Sequence, residues 1–390
     1  MTEKLYDLDS YIWEFECKVI DLYKEGDDLI IVTDRTAFFP EGGGQTSDIG
    51  FLKNLYVKDV QNKCGKVLHI VENYEENVKK LEIGEKISGK IDRKKRFSDM
   101  QQHSGEHIFS GIVHNLYGYD NVGFHLGKES VTLDFNGVLN YEDVCKVESL
   151  VNEAVWANKE IKVFYPSDEE LESIDYRSKK EINEALRIVE IPGVDICACC
   201  APHVKRTGEI GIVEVVSFEK YKGGTRLSIL CGERALMDIR RKLDENKRVS
   251  NLLSAKETET FKMVEKIKKD NADLSYQLTG AKLEALRLKA EGIEKGERII
   301  VFCDLEDTNA IREYADILSE KAEKFSAVFG GKDGDYRFVI ISKTGYDVDT
   351  LSKEMREKLG ARGGGRNGII QGSLAVKRAE IEELLKRVES

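Results

Sequence analysis

The sequence predicts an α+β multidomain protein, and three observations predict it. The first ninety or so residues alternate short apolar runs with Gly, Asp and Asn breaks, as in "DDLIIVTDRTAFFPEGGGQTSDIGFL" and "KVLHIVE". The next stretch mixes strand and helix patterns without a strict βαβ alternation. From about Glu233 to Gly292 the chain carries no proline and is almost continuously helical, and strand-helix alternation follows it. These give four segments: a small N-terminal β-barrel-like domain (1–92), an α+β core (93–240), a long helical, coiled-coil segment (241–294) and a C-terminal α/β domain with a Gly-rich loop (295–390).

In the first segment, turn residues punctuate runs of strand length. A basic step, "DRKKRFSDMQQH", then leads into a helix expected from about Ser98 to Tyr117, capped by Ser98 or Asp99, with Ile108, Ile112 and Leu116 as its apolar stripe. Strand-like "ESVTLDF", the helical "YEDVCKVESLVNEAVWANKEI" and "IKVFYP" come next. The run "INEALRIVEIPGVDICACCAPHV" is expected to hold a helix end and a loop, followed by two strands joined through Gly223-Gly224. In the helical segment Val264, Ile267, Asn271, Leu274, Leu278, Ala281, Ala285 and Leu288 step by three and four, a heptad seam with one polar, register-setting Asn. It serves either a hairpin within one chain or a coiled coil between chains. The last segment runs from "RIIVFCDL" through two further strands and two helices to "GARGGGRNGIIQGSL" and an amphipathic C-terminal helix.

Hydrophobic content of 41% and charged content of 34% describe a globular chain with adequate cores. No apolar run reaches membrane-span length, and "MTEKLYDLDSYIWEFEC" lacks the features of a signal peptide, so a cytoplasmic protein is expected. Eight cysteines are too sparse for a disulfide scaffold, and in a reducing compartment Cys197, Cys199 and Cys200 stay free for metal. The net charge of −11 argues against general nucleic-acid binding, though 60 Lys and Arg leave room for a local basic track.

The chemistry gathers in two short motifs. "QQHSGEHIFSG" puts His103 and His107 at i and i+4, on one face of a helix. "CCAPHV" puts Cys199 and His203 in C-x-x-x-H spacing. Together they supply three imidazoles and a thiolate, a set that tetrahedral Zn²⁺ accepts, with Cys197 and Cys200 close enough to compete as the thiolate. His103-x-x-Glu106-His107 also spells the H-x-x-E-H of an inverted zinc peptidase. That reading leaves the Cys-His pair without a use, and it puts Gly105 inside the catalytic helix at a cost of roughly 1 kcal/mol. A glycine there makes better sense where something approaches the helix backbone closely.

Four stretches in family order resemble alanyl-tRNA synthetase over essentially the whole chain. "DRTAFFPEGGGQTSDIG" resembles the signature preceding its editing core, "QQHSGEHIFSG" its H-x-x-x-H, and "CCAPHVKRTGEIGIV" its C-x-x-x-H with T-G-E-I-G. "GARGGGRNGIIQGSL" resembles the end of its C-terminal domain. With no aminoacylation domain ahead of the β domain, the resemblance is to standalone alanyl-tRNA editing proteins, the AlaX family in its long form. Where the family often has C-G-G-T-H, this chain has Cys199-Cys200-Ala201-Pro202-His203, a stiffer loop with an extra thiol.

The resemblance implies a zinc-containing editing core that hydrolyses the ester of tRNA(Ala) mischarged with serine or glycine. An alanine pocket cannot exclude the smaller residue and rejects an added hydroxyl only weakly. It implies zinc on His103, His107, Cys199 and His203, and it makes His125 of "GFHLG" and Glu106 the candidates for positioning water or ester. Arg93, Lys94, Lys95 and Arg96 before the ligand helix, and Lys205 and Arg206 after the second pair, would flank the pocket as tRNA contacts. Arg362 and Arg366 would meet tRNA farther away, and the coiled coil with the C-terminal domain would serve a homodimer. A tRNA-binding protein with a purely structural zinc is the competing class. The "EGGGQ" stretch is expected to be a tight turn beside the acceptor end or the metal pocket.

Overall fold

Six strands of the first ninety residues close into a barrel in the spatial order Glu14–Glu25, Asp28–Thr33, Lys66–Val71, Leu55–Lys63, Gly50–Leu52, Lys86–Ile91. Alternation drives the closure: Phe15, Cys17 and Val19 are buried, while Glu14, Glu16 and Lys18 face outward. The computed structural model describes residues 1–127, 130–177 and 186–387 of the chain. It divides into two units, Met1–Glu245 and Asn246–Ser390.

The barrel and the α+β core therefore share one unit, where the sequence suggested a boundary at residue 92. The reason is a buried clamp. Arg96, on the helix after the barrel, is fully buried and makes a short ion pair with Asp48 of the barrel-side loop, and it also donates to the carbonyls of Ala37 and Ser10. That helix spans Arg93–Tyr117 and begins five residues earlier than expected, because Asp92, rather than Ser98 or Asp99, caps it by accepting from the Lys95 amide. Its middle is buried on every side, from Asp99 to Val113, while Leu116 of the expected stripe is exposed.

Around this helix lie a four-stranded antiparallel sheet and a three-stranded one. The first runs in the order Val213–Tyr221, Gly224–Cys231, Val131–Phe135, Asn121–Leu126. The second runs Lys162–Phe164, Ile188–Ile191, Asp195–Ala198. The helix Tyr141–Trp156 completes the layer, its Val144, Val147, Val151 and Val155 entering the same core as Ile108, Phe109 and Val113. The helix end expected within "INEALR" lies largely outside the described residues.

A helix, Gly232–Leu252, leaves this core. In the second unit the helix Thr260–Glu291 buries Leu283, Leu286 and Ala290 against Ile299, Ile311 and Tyr314. The heptad seam lies on another face: Val264, Ile267, Leu274, Leu278 and Leu288 are exposed. A five-stranded sheet follows, in the order Gly296–Cys303, Ala322–Lys332, Asp335–Ile341, Ile369–Leu374, Arg362–Arg366, with its first pair parallel and the others antiparallel. The Gly-rich stretch is thus a strand pair turning at Asn367-Gly368, both at positive φ, instead of a loop. Among the described residues no helix is long and apolar enough to cross a membrane.

Candidate metal centre

His103, His107, Cys199 and His203 present ligand atoms that all lie within 4.8 Å of one another. The two helical histidines come from adjacent turns, with ring centroids 5.4 Å apart. The strand Asp195–Ala198 delivers the other pair: Cys199 follows its end, and the segment turns back so that His203 stands 4.7 Å, ring to ring, from His107. Cys199 Sγ is 3.5 Å from Nε2 of His103 and 3.4 Å from Nε2 of His203. Cys200 points elsewhere, toward Gly43.

Two glycines allow this approach. A Cβ on Gly105 would stand 2.3 Å from Cys231 Sγ, so the ligand helix could not seat on the sheet with any larger residue there. A Cβ on Gly111 would fall 2.6 Å from the Val194 carbonyl and 2.7 Å from Asp195 Cβ, which would push Asp195 off His107.

Each histidine is held from behind through Nδ1. His103 meets Gln45 Oε1 at 2.8 Å, His203 meets Ser104 Oγ at 3.0 Å, and His107 meets Asp195 Oδ2 at 3.0 Å. Arg177 in turn clamps Asp195 from 2.7 and 2.9 Å. Such partners orient metal-binding imidazoles and leave Nε2 as the ligand atom, here the atom nearest Cys199 for His103 and His203. The residues present therefore fit a metal of the zinc type, by donor set and by the tautomers their partners favour.

The electrostatics agree for the thiolate. Burial alone would raise the Cys199 thiol, but the adjacent His103, by charge and by hydrogen bond, draws it well below its ordinary 9.0. Burial pushes His203 down to about 3, which keeps its imidazole neutral. His107 goes the other way: burial opposes the shift, but the hydrogen-bonded Asp195 and the Cys199 thiolate lift it well above 6.5. A cation entering here would displace that proton. Burial holds the Cys197 thiol up at about 11, so the sulfur poised as thiolate is Cys199.

Three family models match the chain: "tRNA synthetases class II (A)" over residues 12–95, "Threonyl and Alanyl tRNA synthetase second additional domain" over 186–228, and "DHHA1 domain" over 296–390. The chain is 29% identical to alanyl-tRNA editing protein AlaX-L of Pyrococcus horikoshii, over 98% of its own length and 96% of that protein. It is 26% identical to alanyl-tRNA editing protein Aarsd1-A of Xenopus laevis, over 90% of its length and 87% of that protein. With AlaX-M of Saccharolobus solfataricus it shares 35% identity over 240 residues, 58% of this chain and 98% of that protein. The chain belongs to the alanyl-tRNA editing protein family.

In this AlaX-family chain the other sequence candidates fall into distinct places. Glu106 is buried, not on the surface: Oε1 accepts from Ser110 Oγ and Asn121 Nδ2, and Oε2 lies 3.9 Å from His107 Nε2. His125 is not brought to the cluster. Its neighbour Phe124 packs on His103 with centroids 4.9 Å apart, and strand alternation turns the exposed His125 to the opposite face. Arg96 cannot meet a phosphate, because it is the buried clamp on Asp48. Lys95 is half-buried and holds Asp99, Thr46 and the Ser47 carbonyl.

Arg93 is exposed over the Trp13 ring, and Lys94 is exposed in an ion pair with Glu233. Lys205 is exposed over Tyr11 beside Asp9, and Arg206 is exposed on Asn158. In the second unit Arg362 and Arg366 are exposed, and Arg362 lines a polar groove of about 410 Å³ with Arg337, Thr308, Gln371 and Ser373. Sequence reasoning missed Gln45, Ser104, Arg177 and Asp195 as supports of the ligands. Of these only Asp195, two residues before the first thiol of "DICACC", had a positional signal.

Proposed function

We propose that the protein works as a trans-editing deacylase on tRNA(Ala) carrying serine or glycine, with zinc held by His103, His107, Cys199 and His203. It is an aminoacyl-tRNA hydrolase. Water adds to the carbonyl carbon of the aminoacyl ester, the bond from that carbon to the ribose oxygen breaks, and a proton goes to the ribose oxygen. Free amino acid and tRNA result. The observation that carries the zinc reading is the meeting of two remote ligand pairs, each histidine supported through Nδ1.

Bound zinc supplies a Lewis acid that holds a polar group of the substrate or acidifies water. The chain's own residues do the rest. Asp195 and Gln45 keep the rings in one tautomer, Phe124 shields the His103 side from solvent, and Glu106 presents a fixed carboxylate beside His107. Arg93, Lys94, Lys205 and Arg206 supply exposed cations for the acceptor-stem phosphates, a local patch on an acidic protein. Arg362 and Arg366 add contacts on the second unit. The exposed seam of the helix Thr260–Glu291 is suited to pairing with a second copy. The setting is the cytoplasm, where tRNA is charged.

The test is deacylation of Ser-, Gly- and Ala-tRNA(Ala) with and without chelator. Hydrolysis of the first two, spared Ala-tRNA(Ala) and loss with chelator are expected. Hydrolysis that survives metal removal would make the zinc structural. Metal analysis complements it: Cys199→Ala should lose zinc and Cys200→Ala should keep it, and the reverse would exchange the thiolates.

A further inference from the structure

The "EGGGQ" turn ends in a side chain that, among the described residues, has one amide atom engaged and the other not. Gln45 is 1% exposed. Its backbone closes the turn on Gly42 through two hydrogen bonds, at 3.0 and 3.1 Å. The turn is wedged against the metal centre. Gly44, at φ +84°, lies so close to Phe124 that a Cβ would stand 2.5 Å from its ring, and Gly43 faces Cys200. The Gly44 carbonyl accepts from the Leu126 amide at 2.9 Å, and Lys95 ties down Thr46 and Ser47 from the ligand helix. The amide of Gln45 therefore has little freedom.

Its orientation follows from His103. If Nε2 of that ring is to face a metal, Nδ1 carries the proton and donates, so the amide atom at 2.8 Å is the oxygen. The Nε2 group of Gln45 is then turned away from His103 with both protons. It is buried, and among the described residues it has no hydrogen-bond partner. A buried donor left unpaired bears its full desolvation cost, so one held this rigidly beside a metal centre calls for an acceptor that arrives with the substrate.

We infer that Gln45 Nε2 donates a hydrogen bond to the carbonyl oxygen of the aminoacyl ester and strengthens it as that oxygen becomes negative during attack by water. The inference rests on the deacylase reading above and deepens it. A neutral donor fixed in advance, in a site shielded from water, is the kind of group that stabilises an oxyanion. The acceptor assigned to it does not depend on the amino-acid side chain, so Gln45 would serve seryl and glycyl substrates alike.

Two variants test this. Gln45→Glu keeps an oxygen for His103 but removes the donor, and Gln45→Met removes both without adding charge. Both should stay folded, with Gln45→Met melting lower because it leaves the buried His103 Nδ1–H without its acceptor. Gln45→Glu should keep stoichiometric zinc, while kcat on Ser- and Gly-tRNA(Ala) falls about 10²–10³-fold in each variant, with KM little changed. A 3′-phosphonate mimic of the tetrahedral intermediate should lose affinity in proportion. Wild-type kcat in zinc-loaded Gln45→Glu would overturn the inference, and so would a loss confined to Ser-tRNA(Ala), which would assign the donor to the seryl hydroxyl. Zinc loss in Gln45→Glu would also overturn it, by showing that the residue acts only through His103. A wild type inactive on all three tRNAs removes the deacylase reading itself, and this inference with it.

Discussion

Asp195 Oδ2 lies 3.0 Å from Nδ1 of His107, and the same carboxylate takes both prongs of Arg177. One buried anion thus fixes the ring of a candidate metal ligand and balances a partly buried guanidinium. Burial would raise its pKa, but His107 and Arg177 hold it below the ordinary carboxylate value.

Asp195→Asn should therefore weaken zinc binding by roughly 10–100-fold, since it removes the charged partner of a ligand imidazole. It also leaves Arg177 without its counter-charge, at a cost of about 3–5 kcal/mol. Competition with a fluorescent zinc chelator and thermal unfolding read the two losses separately. Unchanged zinc affinity would mean that His107 is not a ligand.

Glu106→Gln preserves an acceptor for Ser110 and Asn121, so it should stay folded with zinc bound. Its deacylase rate should fall by less than about tenfold, whereas the general base of a zinc peptidase would cost far more. Glu106→Ala leaves buried donors unpaired and should lose about 1–3 kcal/mol of stability. Rates on Ser-tRNA(Ala), with casein as the peptide control, decide the matter. A zinc-loaded but inactive Glu106→Gln protein would make the carboxylate a participant in proton transfer.

The basic step before the ligand helix should split by burial. Arg96→Met leaves Asp48 as an uncompensated buried charge and should cost about 3–5 kcal/mol, with little change in tRNA affinity for the protein that remains folded. Arg93→Ala should do the opposite, leaving the melting temperature alone and reducing the salt dependence of tRNA binding by about one ion. Filter binding across a salt series against thermal melting separates them.

Stability should depend on pH through His69. This ring is buried in the barrel between Thr36 Oγ1 and the Ile31 carbonyl, and burial lowers its pKa from 6.5 to about 4. Below 6.5 the unfolded chain takes up a proton that the folded barrel resists. The stabilisation is therefore whole above 6.5 and is lost progressively as pH falls toward 4. At pH 5.0 the loss amounts to about 2 kcal/mol. Urea unfolding followed by tryptophan fluorescence reports on this unit, since Trp13 and Trp156 both lie in it. The gap between pH 7.5 and 5.0 should shrink by that amount in His69→Asn, and an equal gap in both proteins would discount His69.

What the sequence determined by itself was local. An i, i+4 histidine pair on a helix and a C-x-x-x-H turn are short-range facts, because helical period and loop length set which side chains share a face. Alternating apolar residues likewise announced the barrel strands, and the ligand helix was legible except for its start, where Asp92 outcompeted two later caps. Tertiary structure decided everything that depends on burial and long-range approach. It brought the two candidate ligand pairs together and turned Cys199 inward and Cys200 away. It also put Arg96 in the interior while Arg93, three residues earlier, stayed in solvent. Charge alone made those two arginines equivalent in the sequence. What separates them is the position of Asp48, forty-eight residues away, and a local pattern carries no information about such a partner.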